Sequence, residues 1–241
     1  MQMNRRLLLH LYAQSVRRNA MRTKLKPNSV IAAALLLTVV QTEKVGAEDV
    51  AFTGWTHQKF SLFDGNSWRQ AGRELSVESD GTVSLLWQAV PKTLWQAKSA
   101  SWTWSVELGV PPTDLSLKGG DDRNLSLYVI FAPKDVAEAT EGMGIRKLLE
   151  NPDIRVLMYV WGGAHVRGDD LPSPYLGSRG RTVVLRPAGL GQYDETVDLR
   201  ADLGRIHGRA DLALIGVAIS SDSDDTGSHI KARMSDLRFS E

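Results

Sequence analysis

The sequence predicts a mainly β protein, an antiparallel two-sheet sandwich with a short helical insertion. Three observations carry that prediction. Short runs of β-forming residues recur between turn signals, one of them alternates strictly between apolar and polar residues, and only one stretch has helical texture. The strand-turn-strand rhythm with a single helical excursion favours a sandwich of the jelly-roll or carbohydrate-binding-module type over any βαβ arrangement.

Before the fold comes a leader. Arg22, Lys24 and Lys26 precede an apolar run over residues 30–40, and Val45-Gly46-Ala47 then offers a small-residue cleavage site. This is the pattern of a secretory signal peptide, and its apolar run is too short to span a bilayer of about 30 Å. Cleavage after Ala47 is expected, with residues 1–20 as an upstream extension, Met21 as an alternative start and residues 48–241 as one domain. Residues 1–47 hold eight of the 29 basic and one of the 28 acidic residues, so the remainder carries 21 against 27, a net charge of −6. That balance gives no basic stripe for nucleic acid, and it fits a periplasmic or secreted chain with no stable membrane span after cleavage. With no cysteine, core burial alone stabilises the remaining 194 residues.

Residues 52–68 mix Phe52, Trp55, Phe60, Phe63 and Trp68 with turn formers and read as an irregular lead-in with an edge strand. A strand over 83–87 follows the turn dipeptide Asp80-Gly81. The clearest strand, 102–108, places Trp102, Trp104, Val106 and Leu108 on one face and Thr103, Ser105 and Glu107 on the other. Pro111-Pro112 stops it. Lys118-Gly119-Gly120-Asp121-Asp122 then leads into a strand over 125–131.

Residues 133–151 change texture to Lys, Glu, Ala, Ile and Leu, with Ile145, Leu148 and Leu149 at helical spacing. Strands resume at 154–161 and 182–185 around a long loop, 162–181, rich in Gly, Pro and charge. Residues 194–203 read as a strand end followed by a helical turn. Last come an apolar run over 212–219, an acidic loop over 220–228 and a half-apolar run over 232–239, read together as a hairpin. Met234 and Leu237 are three apart, which breaks alternation and predicts a bulge near Ser235.

The acidic loop, with Asp222, Asp224 and Asp225, is the best candidate site, and calcium is the cofactor its residues suit. The helix-loop-helix calcium motif is excluded: with Asp222 first and Gly227 sixth, the twelfth position is Arg233 where a bidentate Glu is required. Calcium would instead use loop carboxylates and carbonyls, while Asp, Ser, Thr and Gly also build an ordinary tight turn. Asp121 and Asp122 form a second acidic pair. Paired loop carboxylates would serve a glycoside hydrolase or lyase at a separation of about 5–10 Å, and they equally serve as acceptors of backbone N–H groups. The five histidines lack metal-ligand spacing, and Gly189-Leu190-Gly191 lacks the third glycine of a dinucleotide loop. Trp102 and Trp104 share a strand face with aliphatic residues, which assigns them to the core. Tyr159 and Trp161, with Tyr175, are the stacking-platform candidates.

Taken together, Ser101-Trp102-Thr103-Trp104-Ser105-Val106, Lys118-Gly119-Gly120-Asp121-Asp122, Leu127-Tyr128-Val129-Ile130-Phe131, Tyr159-Val160-Trp161 and residues 217–226 before Asp236-Leu237-Arg238-Phe239 resemble the domain of unknown function family 3047. The resemblance runs from about Trp55 to Phe239. It implies an exported bacterial β-sandwich with an acidic loop, and an arginine shortly after the paired aspartates, where this chain has Ser126. Together these readings point to an exported module that binds a glycan or other envelope component. A glycoside hydrolase or lyase, and a structural or interaction protein of the periplasm, are the alternatives.

Overall fold

Alternation in the sequence becomes two sheets that differ in how many faces they bury. The computed structural model describes residues 46–60 and 64–241, all within the compact unit Glu43–Glu241. Residues 1–45 of the expected leader, with the alternative start at Met21, lie outside the described residues. In chain order the strands are β1 (Glu48–Asp49), β2 (Thr56–Lys59), β3 (Ser67–Ala71), β4 (Glu74–Asp80), β5 (Val83–Ala89), β6 (Ser99–Leu108), β7 (Arg123–Ala132), β8 (Arg155–Gly162), β9 (Asp170–Ser173), β10 (Gly177–Arg186), β11 (Gly191–Asp198), β12 (Ala213–Asp222) and β13 (His229–Ser240). The helices are α1 (Lys134–Ala139), α2 (Ile145–Glu150) and α3 (Leu199–His207), with a 3₁₀ turn at Lys92–Leu94.

The first sheet has the order β11-β6-β13-β4-β3, with β1 pairing on β13. Here Ala100, Trp102, Trp104 and Val106 of β6, Leu75 and Val77 of β4, and Ile230, Ala232 and Met234 of β13 are buried, while the residues between them are not. One face is packed and one is wet, as period-2 patterning requires. Leu108 departs from the expectation and is exposed, since β6 runs beyond the packed region there.

The second sheet has the order β2-β5-β12-β7-β8-β10-β9. All pairs are antiparallel except β8 with β10, which run parallel with β9 paired on the far side of β10. The interior strand β12 is buried at all ten positions, and β8 is buried at all but its first. One face of this sheet meets the first sheet through aromatic rings: Trp102 lies 5.9 Å from Tyr159 and Trp104 lies 5.5 Å from Trp161, centroid to centroid. Such tilted pairs add about 0.5–1.5 kcal/mol each beyond the burial itself. The opposite face carries Tyr128, Met158 and Val160 and is roofed partly by α2.

The two-sheet sandwich stands, and several local readings change. The acidic loop does not close a hairpin: β12 pairs with β5 and β7, whereas β13 pairs with β4, β6 and β1 in the other sheet. The loop therefore crosses between sheets. The helical insertion is two short helices broken at Gly142 and Gly144, and Gly142 has φ +80°, which an L side chain resists. Strands β4 and β9 were not expected. The bulge near Ser235 is present: the β13–β6 register shifts between Ser235 and Arg238, and Asp236 has φ 54°. Among the described residues no helix is long and apolar enough to cross a membrane.

Candidate functional site

The site lies where β7 begins and β12 ends. These strands are neighbours, Asp222 stands opposite Arg123, and both ladders break there, between Ser220 and Asp222 and between Arg123 and Leu125. A broken ladder re-aims side chains that regular pleating would send elsewhere. Gly162 of β8 pairs with Arg123 on the other side. A Cβ on Gly162 would stand 2.7 Å from Arg123 Cβ, so only glycine allows this approach.

Arg123 is the hub. Its Nε donates to Ser126 Oγ at 2.8 Å, Nη1 donates to the Asp121 carbonyl at 2.7 Å and to Asp121 Oδ2 at 2.8 Å, and Nη2 donates to Tyr128 Oη at 2.9 Å. Nη1 also lies 3.1 Å from Asp222 Oδ2. Burial works against the guanidinium charge, but Tyr128, Asp222 and Asp121 outweigh it and raise its pKa above the usual arginine value. The arginine implied by the family resemblance is thus supplied directly after the paired aspartates, and Ser126 serves it as an acceptor.

The five predicted aspartates have different duties. Asp122 is fully buried and accepts from the backbone N–H of Thr226 at 2.7 Å, from Thr226 Oγ1 at 2.6 Å and from the N–H of Asp225 at 3.3 Å. It pins the acidic loop to the start of β7. Asp121 Oδ1 accepts from Tyr175 Oη at 3.0 Å, which pushes the tyrosine up to about 12, by lost hydration first and Asp121 next. Asp222 is pushed up to about 8, chiefly by burial; Arg123 opposes the rise, and Asp224 and Asp122 add to it. Its Oδ1 has no hydrogen-bond partner among the described residues. One oxygen from each of Asp122, Asp222 and Asp224 lies within 4.8 Å of the others. Asp225 sits on the exposed side of the loop, outside this group.

These residues form one end of a cavity of ≈ 400 Å³ on the outer face of the second sheet. Asp121, Arg123, Tyr128, Tyr175, Asp222 and Asp224 make its polar end. The other walls are Leu85, Met158 and Val160 from the strands, Ile145 and Leu149 from α2, and Leu176. The structure therefore brings Asp121, Asp122, Asp222 and Asp224 together. Tyr159 and Trp161 do not belong to the site. They are 0% and 1% exposed and face the first sheet, so neither ring offers a stacking surface. Tyr175, 57% exposed, does border the cavity. Arg123 and Tyr128 escaped the sequence reading, although an arginine wedged between two aspartates and an apolar strand was a visible signal.

The chain matches, over residues 53–238, the family described as protein of unknown function (DUF3047). It belongs to the DUF3047 family. No match to this DUF3047 chain is found among curated proteins. Among solved structures it is similar to the xyloglucanase domain of NopAA, a type three effector from Sinorhizobium fredii, in complex with cellobiose, with TM-score 0.40 and 11% identity over 82% of this chain and 99% of that one. It is also similar to a thermostable cellulase derived from the Cel12A cellulase of Rhodothermus marinus, with TM-score 0.41 and 11% identity over 80% and 98% of the two chains.

Proposed function

We propose that this DUF3047 protein is a binding module for a small amphipathic ligand, a glycan-bearing or related envelope component. The observation that carries this reading is the mixed lining of the cavity: the linked cluster of Asp121, Arg123, Tyr128 and Asp222 supplies hydrogen-bonding groups, Leu85, Met158, Val160, Ile145, Leu149 and Leu176 supply hydrocarbon, and Gln58, Arg146 and Thr182 add polar groups along those walls. A ligand with a hydroxyl-rich head and an apolar part satisfies both kinds of lining. A bare oligosaccharide would leave the aliphatic walls unused, while Tyr175 and Phe60 are exposed aromatic rings on the lining. The basic and apolar leader supports a periplasmic or secreted location, where such ligands occur.

Octyl glucoside, below its micelle concentration, and cellobiose are suitable probes by titration calorimetry. The native chain is expected to bind the alkyl glycoside saturably and more tightly than cellobiose. Met158→Trp, which fills the cavity from the sheet side, should abolish that binding while circular dichroism stays native. Equal binding by the filled variant, or no saturable binding by the native chain, would refute the reading.

One observation favours glycoside hydrolysis as a second reading. Asp121 and Asp222 both line the cavity and both contact Arg123 Nη1, at 2.8 and 3.1 Å, so their oxygens are no farther apart than the sum of those distances, about 5.9 Å, a bound that admits the separation of about 5–5.5 Å used by retaining enzymes. Turnover of nitrophenyl glycosides that vanishes in Asp222→Asn would support it. Turnover no higher than that of the variant would remove it.

A further inference from the structure

We propose that Asp122, Asp222 and Asp224 hold one hard divalent cation of the calcium class at the polar end of the cavity. This goes beyond the ligand-binding reading and does not depend on it. The first observation is geometric. One oxygen from each residue lies within 4.8 Å of the others, and two oxygens on a single calcium ion, each at about 2.3–2.6 Å, are never more than about 5.2 Å apart. Three oxygens so spaced all lie within about 2.8 Å of a common point, so side-chain shifts of a few tenths of an ångström bring all three into calcium range.

The second observation is independent of the clustering. Asp222 is 7% exposed, its Oδ2 is taken by Arg123, and its Oδ1 has no partner. A buried carboxylate oxygen without a donor is costly, and native folds seldom leave one unmatched. The missing partner is a cation between Asp222 and Asp224 or a proton shared by them, and only the cation leaves both carboxyls ionised. Arg123 is turned to Ser126, Asp121, Asp222 Oδ2 and Tyr128, and none of its N–H groups reaches Asp222 Oδ1.

Charge and ligand type narrow the identity. Asp121 and Asp222 share Arg123, and although Thr226 and the Asp225 N–H serve Asp122, Asp222 and Asp224 still face each other. All three ligand atoms are carboxylate oxygens, with neither His nor Cys in the group, which suits calcium better than zinc. Asp222 and Asp224 line the cavity, so the remaining coordination positions open toward it and would be filled by water or ligand oxygens. The set differs from the sequence expectation in one member: Asp122 takes the place of Asp225, because loop closure on Thr226 carries Asp225 outward.

The test is calcium added to the full chain after chelation, followed by calorimetric titration and thermal melting at matched ionic strength. One site is expected, and at 100 times Kd the midpoint should rise by roughly 5–10 °C. Asp224→Asn, an exposed position that leaves the fold intact, should abolish the heat and the rise. Asp225→Asn should retain both, and magnesium should give a smaller rise, because three carboxylates and an open cavity side do not fix its octahedron. No heat and no rise in the native chain would overturn the proposal. Equal loss in the Asp224 and Asp225 variants would also overturn it, since that is the mark of diffuse screening. The octyl glucoside titration repeated in chelator keeps the two proposals separable: calcium binding without amphiphile binding sinks only the pocket reading, and the reverse sinks only this one.

Discussion

Arg123→Met tests whether the polar end of the cavity is held together by charge. The guanidinium side chain is 11% exposed, and Asp121 and Asp222, its partners, are 7% and 10% exposed. Methionine fills a similar volume but leaves two buried carboxylates without a cation, and breaking a buried pair from one side costs about 3–5 kcal/mol. For a domain of this length each kcal/mol moves the midpoint by about 2–4 °C, so a fall of roughly 6–20 °C is expected in differential scanning calorimetry at pH 7. Asp222→Asn in the same background should recover part of the loss, because the cost of keeping a buried carboxyl protonated at pH 7 is then gone. A fall under about 2 °C, or a double variant no more stable than Arg123→Met, would refute the view of Arg123 as the hub.

Trp104→Ala removes a ring that is 1% exposed, packs on Trp102 and Trp161 and donates to Glu195 Oε1 at 3.3 Å; chemical denaturation should show a loss of about 3–5 kcal/mol. Glu195, whose side chain is 1% exposed, accepts from Arg167 at 2.9 Å and from Arg186 at 2.7 Å. Glu195→Ala should cost about 3–5 kcal/mol, whereas Arg167→Ala, at a half-exposed partner, should cost under about 1 kcal/mol. Gly162→Ala should cost about 1–3 kcal/mol through its clash with the Arg123 backbone, and should weaken binding in the cavity more than stability alone explains. His57 and His207 are both lowered by burial first, with Lys59 assisting at His57 and Arg155 and Arg181 at His207, where the Val156 backbone and Asp170 oppose. A depressed histidine favours the neutral form in the fold, so stability is whole above about pH 6.5 and falls as pH drops below it; His207→Gln should flatten that slope in a pH series of melts.

Much of the sandwich was legible because alternation reports the number of covered faces. The bulge at Ser235 followed from the three-residue spacing of Met234 and Leu237 alone. The same logic, applied more strictly, would have separated β12 from β13. Every residue of β12 is buried, as in a central strand covered on both sides, whereas β13 alternates, as in a sheet with a wet face. Here that difference in pattern goes with a difference in sheet, and adjacency in sequence was the weaker guide. The unbroken apolar run of β8 carried the same message about Tyr159 and Trp161. Arg123 was hidden for another reason: a charge beside two aspartates reads as a solvated loop until the strands around it are placed.

The acidic loop itself argues that its carboxylates are more than turn chemistry. Its closure is secured elsewhere: Ser223 Oγ pairs with Ser79 Oγ at 2.8 Å, the Ser223 N–H donates to the Thr82 carbonyl at 3.1 Å, and Thr226 donates twice to Asp122. The crossing between sheets is anchored on both flanks by neutral side chains and one buried aspartate. Asp222 directly precedes the first anchor and Asp224 lies between the two, with their carboxyls toward each other and the cavity, an arrangement that opposes folding by burial and mutual repulsion. A fold that needed only a turn would place neither charge there. Whatever offsets that repulsion, cation or ligand, bears on the segment that joins the two sheets, so occupancy of the site and rigidity of the crossing are coupled by construction.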